Sequence, residues 1–348
     1  MKVGILEDKD FSNKAIVLLS TFASVECYDN DLDTFLKDKN VLFIRLKYSI
    51  DKQFISLCKN LKYICTPTTG LNHIDLDECK NKNIKIISLK GEMDFLATIR
   101  ATPEHTFGLV LSLLRNYKYA FLSEKNSLWN RDKYKGFELY GNTIGIIGFG
   151  RVGKILAKYF EAFDSEVYFF DINDSVNSVN NAIKVKSTHE LIDKSNIVIL
   201  SASYSKDNHQ FFDQKYIDLL ENKYFINTAR GELVDEEYFI EKIRKDWFKG
   251  VAIDVIHNEQ SNNNLNKFLE LADRKNLIVT PHISGATYSS MQRTEEFVLN
   301  KLFFKVIFSK LYSTIVLYFD GKIYTDLFPN PSSIIPNCIS LPSSFNPL

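Results

Sequence analysis

Residues 141–153 read GNTIGIIGFGRVG and hold five of the chain's fourteen glycines. A β-type run, IGIIG around Gly145, comes first, and Gly148, Gly150 and Gly153 follow at G-x-G-x-x-G spacing. Beyond them Val152, Ile155, Leu156, Tyr159, Phe160 and Phe163 share one face at helical spacing. Strand, glycine turn and helix in that order are what a dinucleotide needs. Gly148 permits a tight turn, Gly150 lets a pyrophosphate approach the backbone, and Gly153 lets helix and strand pack closely. The N–H groups that open the helix, at Arg151 and Val152, then meet the phosphates with the positive end of the helix dipole behind them. Asp171 ends the next β-type run, VYFFD, eighteen residues after Gly153, near the ~20 expected of the carboxylate that binds the adenosine ribose. A carboxylate accepts from a free 2′-hydroxyl and repels a 2′-phosphate, so the expected cofactor is NAD rather than NADP.

Working outward, β-type runs alternate with helical stretches on both sides of this loop. Before it come KVGIL, SVECYD, VLFIRL, YICTPTT and IKIISL, interleaved with stretches such as SNKAIVLLSTFA and KQFISLCKNLK. After it come NIVILS, YFINTA, VAIDV and LIVTPH, ending at Ser201, Ala229, Val255 and His282. Such alternation predicts parallel strands joined by crossover helices, here as two α/β units. Phe107, Val110, Leu111 and Leu114 recur at helical spacing, predicting one long connecting helix over Thr102–Tyr119. Five of the eight prolines fall within Pro329–Pro347, which predicts an irregular tail over 329–348.

Composition narrows the partners. The 348 residues are enough for two domains, and 43 basic residues balance 43 acidic ones, so no net field points to nucleic acid or an anionic membrane. A small molecule is the expected partner. Five scattered cysteines without a C-x-x-C pair argue against a disulfide framework or a zinc cluster, and no metal is expected. The start MKVGILEDKD has too short an apolar run for a secretory signal, so a reducing cytoplasm is the expected location. The apolar stretch Leu302–Phe319 carries Lys305 and Lys310 and reads as buried or docked rather than membrane-spanning.

Ligands of open parallel sheets sit outside the carboxyl ends of the strands. There the second unit places Arg230 after YFINTA, Asp254 after VAI with Glu259 five residues on, and His282 after LIVTP. A guanidinium grips a carboxylate in a planar two-pronged bond. An imidazole takes a hydroxyl proton as hydride leaves and returns it in reduction. Glu259 would orient that imidazole and favour its charged form, and Asp254 would bond a nicotinamide carboxamide. The set suits hydride transfer on a 2-hydroxy acid.

These blocks, with INTARGELVDEE (226–237), VAIDVIHNE (251–259), TPHISGAT (280–287), TTGLNHIDL (68–76) and ATPEHTFGLVLSLLR (101–115), resemble the signatures of the D-isomer-specific 2-hydroxyacid dehydrogenases, to which phosphoglycerate dehydrogenases belong. The likeness covers roughly residues 1 to 303. It implies catalytic roles for Arg230, Glu259 and His282, and cofactor contacts at Gly148, Gly150, Arg151, Val152, Gly153, Asp171, Thr228 and Asp254. It also implies a substrate-carboxylate loop at Thr69 and Gly70 that assists Arg230. The implied fold is α/β with two doubly wound parallel-sheet domains. A Rossmann NAD-binding domain (101–284) is inserted into a flavodoxin-like substrate domain (1–100 plus 285–328), and the whole is expected to form a homodimer through the nucleotide domains. Arg45 and Lys47 lie where phosphoglycerate dehydrogenase-like members hold phosphate, so a phosphorylated or otherwise anionic substrate is an expectation. The segment ILSASYSKDN (199–208) departs from the His-x-Pro-Leu usual at this cofactor edge. An NAD(H)-sensing interaction protein of the same fold without significant turnover stays open as the alternative.

Overall fold

The computed structural model describes residues 1–123, 130–259 and 264–315. By internal contacts the chain divides into Met1–Leu299 and Asn300–Leu348. Two all-parallel sheets lie in the first of these units. One contains β1 (Lys2–Ile5), β2 (Ser24–Cys27), β3 (Val41–Phe43), β4 (Tyr63–Cys65) and β5 (Lys85–Ile87) in the order β2-β1-β3-β4-β5. The other contains β6 (Thr143–Ile147), β7 (Glu166–Phe170), β8 (Ile183–Lys184), β9 (Ile197–Leu200), β10 (Tyr224–Asn227), β11 (Gly250–Ile253) and β12 (Leu277–Val279), ordered β12-β11-β10-β9-β6-β7-β8. The first order is that of flavodoxin-like sheets. The second is the doubly wound nucleotide-binding order with one strand added, reversing direction between β6 and β9.

Burial on both faces explains why the strands read as nearly continuous apolar runs. In the second sheet Ile144, Ile146, Ile197 and Ile199 turn to one side, where they pack with Leu109, Val110, Leu156 and Phe160. Val198, Leu200, Phe225 and Val251 pack on the other side with Leu191 and Phe239. The alternation along β9 is the period of two that a strand imposes. The helix Arg151–Glu161 buries Ile155, Leu156 and Phe160 as its sequence face requires, while Phe163, beyond the helix end, is half exposed.

One sequence expectation needs revision. The single helix expected over Thr102–Tyr119 is two, Ala101–Leu114 and Tyr117–Ser123. Asn116 breaks it by adopting φ +53° and donating its side-chain amide to the Lys135 carbonyl at 2.7 Å. Asparagine tolerates this left-handed conformation because its short polar side chain finds a local partner. The two-residue strand β8 has no apolar run long enough to announce it. Late in the chain a helix spans Tyr288–Ile315, and the expected tail 329–348 and the rest of 316–348 lie outside the described residues. Among the described residues no helix is long and apolar enough to cross a membrane.

Candidate active site

The glycine loop sits at the reversal point of the second sheet. Gly148 has φ +90°, and a Cβ on it would lie 2.6 Å from the Ala202 backbone at the end of the neighbouring strand β9. A Cβ on Gly153 would lie 2.6 Å from the Gly148 carbonyl oxygen. Both glycines are therefore fixed by close approach of backbone. Gly150 differs: a Cβ there meets nothing within 4 Å, and the helix that starts at Arg151 has no side-chain cap. First-turn N–H groups without a side-chain cap, beside an open position at Gly150, fit a pyrophosphate. Asp171 stands beside them, its carboxylate accepting from the N–H groups of Phe149 at 2.8 Å and Asn173 at 2.9 Å. Loop and acid thus form one unit.

The side chain of Arg151 is engaged away from the glycine loop. Its guanidinium donates to the carbonyls of Leu96 (3.3 Å) and Ile99 (2.9 Å), ahead of the connecting helix. Burial and the neighbouring Arg100 charge lower its pKa. What Arg151 leaves for a phosphate is its backbone N–H. Thr228 is likewise engaged: it is buried and its hydroxyl pairs with that of Thr106 at 2.7 Å, tying the end of β10 to the helix Ala101–Leu114.

The segment 199–208 is well organised despite its departure from the family pattern. A Ser205–Asn208 capping box closes the turn 206–208. Tyr204 lies 3.4 Å from His209 Nδ1, and the rings of His209 and His257 are 5.5 Å apart.

Neighbouring strand ends carry the reactive groups. After β10 the buried Asn227 shapes the turn, its side chain accepting from the Ala229 N–H and donating to the Arg230 carbonyl, both at 3.0 Å. The Arg230 guanidinium then fills the space that a Cβ on Gly70 would occupy, so the loop after β4 and the loop after β10 meet there. Thr69, next to it, is exposed. After β11, Asp254 is 1% exposed and its carboxylate accepts from the Thr280 hydroxyl (2.5 Å) and from the N–H groups of Ile283 (2.9 Å) and Ser284 (2.8 Å). After β12, Nδ1 of His282 is 2.8 Å from a Glu259 carboxylate oxygen. The expected glutamate–histidine pair is formed, through the Nδ1 side of the ring.

Several contributors carried no sequence signal strong enough to single them out. His105 Nε2 lies 3.2 Å from the Thr280 hydroxyl and 3.5 Å from the Asp254 carboxylate, linking the helix Ala101–Leu114 to the histidine loop. His73, three residues after Gly70, has both ring nitrogens buried without a hydrogen-bond partner among the described residues. Burial, reinforced by the Arg230 charge, pulls its imidazole down to about 4.

Arg45 is not the free phosphate ligand its position suggested. Its Nε and Nη2 donate to Glu295 at 2.9 and 2.5 Å, and its Nη1 donates to the Lys9 carbonyl at 2.8 Å. Glu295 is fully buried, and Arg45 is consumed in compensating it. Lys47 lies with its ammonium 5.4 Å from the Tyr48 ring centre, beside Glu7, which accepts from its backbone N–H at 3.4 Å. No group of three or more potential metal ligands occurs among the described residues.

A doubly wound sheet with an uncapped helix at a glycine turn, and an imidazole–carboxylate pair at the ends of its strands, defines a nucleotide-dependent oxidoreductase. Residues 107–284 match the family model described as "D-isomer specific 2-hydroxyacid dehydrogenase, NAD binding domain". The chain is 30% identical over 276 residues to a glyoxylate reductase of Thermofilum pendens, covering 77% of this chain and 78% of the relative. It is 27% identical over 321 residues to the D-3-phosphoglycerate dehydrogenase of Methanocaldococcus jannaschii, covering 90% of this chain and 59% of that one. In fold it is similar to a D-lactate dehydrogenase of Aquifex aeolicus solved with NAD and lactic acid (TM-score 0.75, 24% identity, 89% of this chain and 97% of that one). The chain belongs to the D-isomer specific 2-hydroxyacid dehydrogenase family. It is accordingly an NAD-dependent oxidoreductase of the class acting on CH–OH groups.

Proposed function

We propose that this protein interconverts a small D-2-hydroxy acid and its 2-oxo acid, with Arg230, Glu259 and His282 as the working groups. The observation that carries this reading is the 2.8 Å contact between Glu259 and Nδ1 of His282 at the carboxyl end of β12, two strands from the end of β10 that presents Arg230. NAD, when bound by the glycine loop and Asp171, would supply the hydride acceptor or donor. In oxidation the substrate C–H leaves as hydride while the hydroxyl proton passes to His282 Nε2, and in reduction His282 returns it. Arg230 holds the substrate carboxylate, assisted by the backbone N–H groups of Thr69 and Gly70. Glu259 accepts from Nδ1–H, fixing the ring and stabilising its protonated form.

The same reading takes 101–284 as the nucleotide domain, inserted between 1–100 and the returning segment from 285. Support comes from the helix Tyr288–Ile315, whose Glu295 pairs with Arg45 and whose Phe297 stacks on Phe95 at 3.9 Å, both partners in the first hundred residues. A homodimer through the nucleotide domain is supported by the exposed aromatics Phe121, Phe137 and Tyr140 between the connecting helix and β6. The free thiols Cys27, Cys58 and Cys79 suit a reducing cytoplasm. A distal anionic group on the substrate now rests on Lys47 alone.

The test is oxidation of NADH and NADPH against a panel of 2-oxo acids. Turnover with NADH is expected, and His282→Ala should lower kcat by ~10²- to 10⁴-fold while NADH still binds. No turnover with any acid, together with NAD-dependent self-association, would instead make the protein a sensor.

A further inference from the structure

Glu236 is a carboxylate buried at 5% exposure on the first turn of the helix Glu236–Arg244, six residues after Arg230, and the mechanism above does not use it. One of its oxygens accepts from the backbone N–H of His257 at 2.6 Å, and the other from the Asn264 side-chain amide at 2.7 Å. Those two donors lie on either side of Glu259 along the chain. A second contact joins the same segments: any Cβ on Gly231 would collide with the backbone of Ile256 and His257. The arginine-bearing and glutamate-bearing segments are thus clamped together, by close backbone approach at one point and a buried carboxylate at another.

We propose that Glu236 is the positioning residue that fixes the Glu259 segment against the Arg230 segment, so that the group gripping the substrate and the pair moving its proton keep one spacing. The inference rests on the proton-transfer reading of Glu259 and His282. Burying a carboxylate is costly unless its oxygens are satisfied. Both oxygens of Glu236 accept from the segment it would position, and among the described residues it makes no ion pair. The ionisable groups that act on it are His257 and Glu237, and Glu237 is itself paired with Lys267. Burial raises the Glu236 pKa, opposed by the bonds from His257 and Asn264. An amide can meet the same two demands, accepting from the His257 N–H and, with Asn264 reoriented, donating to its carbonyl oxygen. The charge is therefore dispensable and the geometry is not.

The experiment compares Glu236→Gln, Glu236→Ala and Asn264→Ala in the full chain, measuring kcat/KM for 2-oxo acid reduction across pH, NADH binding and the thermal melt. Glu236→Gln is expected to stay within several-fold of the parent. Glu236→Ala should lose on the order of 10- to 100-fold in kcat/KM with NADH binding kept, the scale of an ångström's misplacement. The loss of its rate toward alkaline pH should also set in at a lower pH, because an imidazolium without its carboxylate neighbour gives up its proton more readily. In a Glu259→Gln background the same change should shift the pH profile no further. A folded Glu236→Ala with parental rate and pH profile overturns the proposal. If that variant does not fold, Asn264→Ala decides, with a smaller shift in the same direction expected and an unmoved profile counting against the idea. Full turnover in His282→Ala would instead remove the underlying reading, an outcome that leaves the Glu236 variants out of account.

Discussion

The backbone N–H of His282 donates to the Asp254 carbonyl at 2.8 Å, and His282 is held at φ +52°. A left-handed histidine is uncommon and costs free energy, so something must over-determine it. Asp254 does so from both ends, its carbonyl taking the histidine N–H and its carboxylate the next two. Asp254→Asn supplies only one acceptor oxygen and turns an amide toward a backbone donor. Losing one buried hydrogen bond should cost about 1–3 kcal/mol of stability. The displaced imidazole should lower kcat more than it alters NADH binding, which thermal melts and stopped-flow reduction would measure. An unchanged kcat would show that the bracket does not set the ring's position.

Asp171 should decide the cofactor. Asp171→Ala removes the acceptor for the ribose hydroxyl and the charge that repels a 2′-phosphate. Loss of a hydrogen bond to a charged group, about 1.5–3 kcal/mol, is roughly a 10- to 150-fold rise in KM for NADH. The KM for NADPH should fall. Titrating both reduced cofactors into the variant checks this, and parallel changes for the two would contradict it.

Arg45 should matter for stability rather than for substrate charge. Arg45→Ala leaves Glu295, with a side chain of 0% exposure, without its cation, and breaking a buried pair costs about 3–5 kcal/mol. Burial already raises the Glu295 pKa, so its folded-state value lies above the unfolded one. Protonation therefore relieves the variant at low pH, and the deficit should grow as pH rises. Urea unfolding at two pH values reads this directly. Selectivity between phosphorylated and plain hydroxy acids should stay as in the parent, whereas a lost preference for phosphate would return Arg45 to the substrate site.

His73 should make the protein acid-labile. Its imidazole titrates at about 4 in the fold against 6.5 as the ordinary value. A depressed folded-state value means the stabilisation is complete above pH 6.5 and is lost as pH falls toward 4. At about 1.4 kcal/mol per unit, the full loss is on the order of 3 kcal/mol. His73→Gln should flatten the dependence of urea midpoint on pH across that window, and an equally steep curve in the variant would assign the lability to another group.

Much of this site could be read along the chain because its signals are local. The glycine spacing, Asp171 at the next strand end and the residues after β10, β11 and β12 are each set by a strand that carries its own apolar pattern. The partners of the Arg151 and Arg45 guanidinium groups could not be read because they lie far off in sequence. Arg151 spends its charge on Leu96 and Ile99, and Arg45 on Glu295. Nothing in the neighbourhood of either residue encodes that. His105 and Glu236 were passed over for the same reason, since their importance lies in groups contributed by other elements.

The sequence alone therefore determined the alternation of strands and helices, the dinucleotide loop and the identity of the groups available for chemistry, since backbone conformational freedom and apolar periodicity act over a few residues. Only the tertiary structure decided which charged groups remain for ligands. A charge removed from water must be matched by whatever the fold brings within a few ångströms, and the order of residues along the chain does not record that choice.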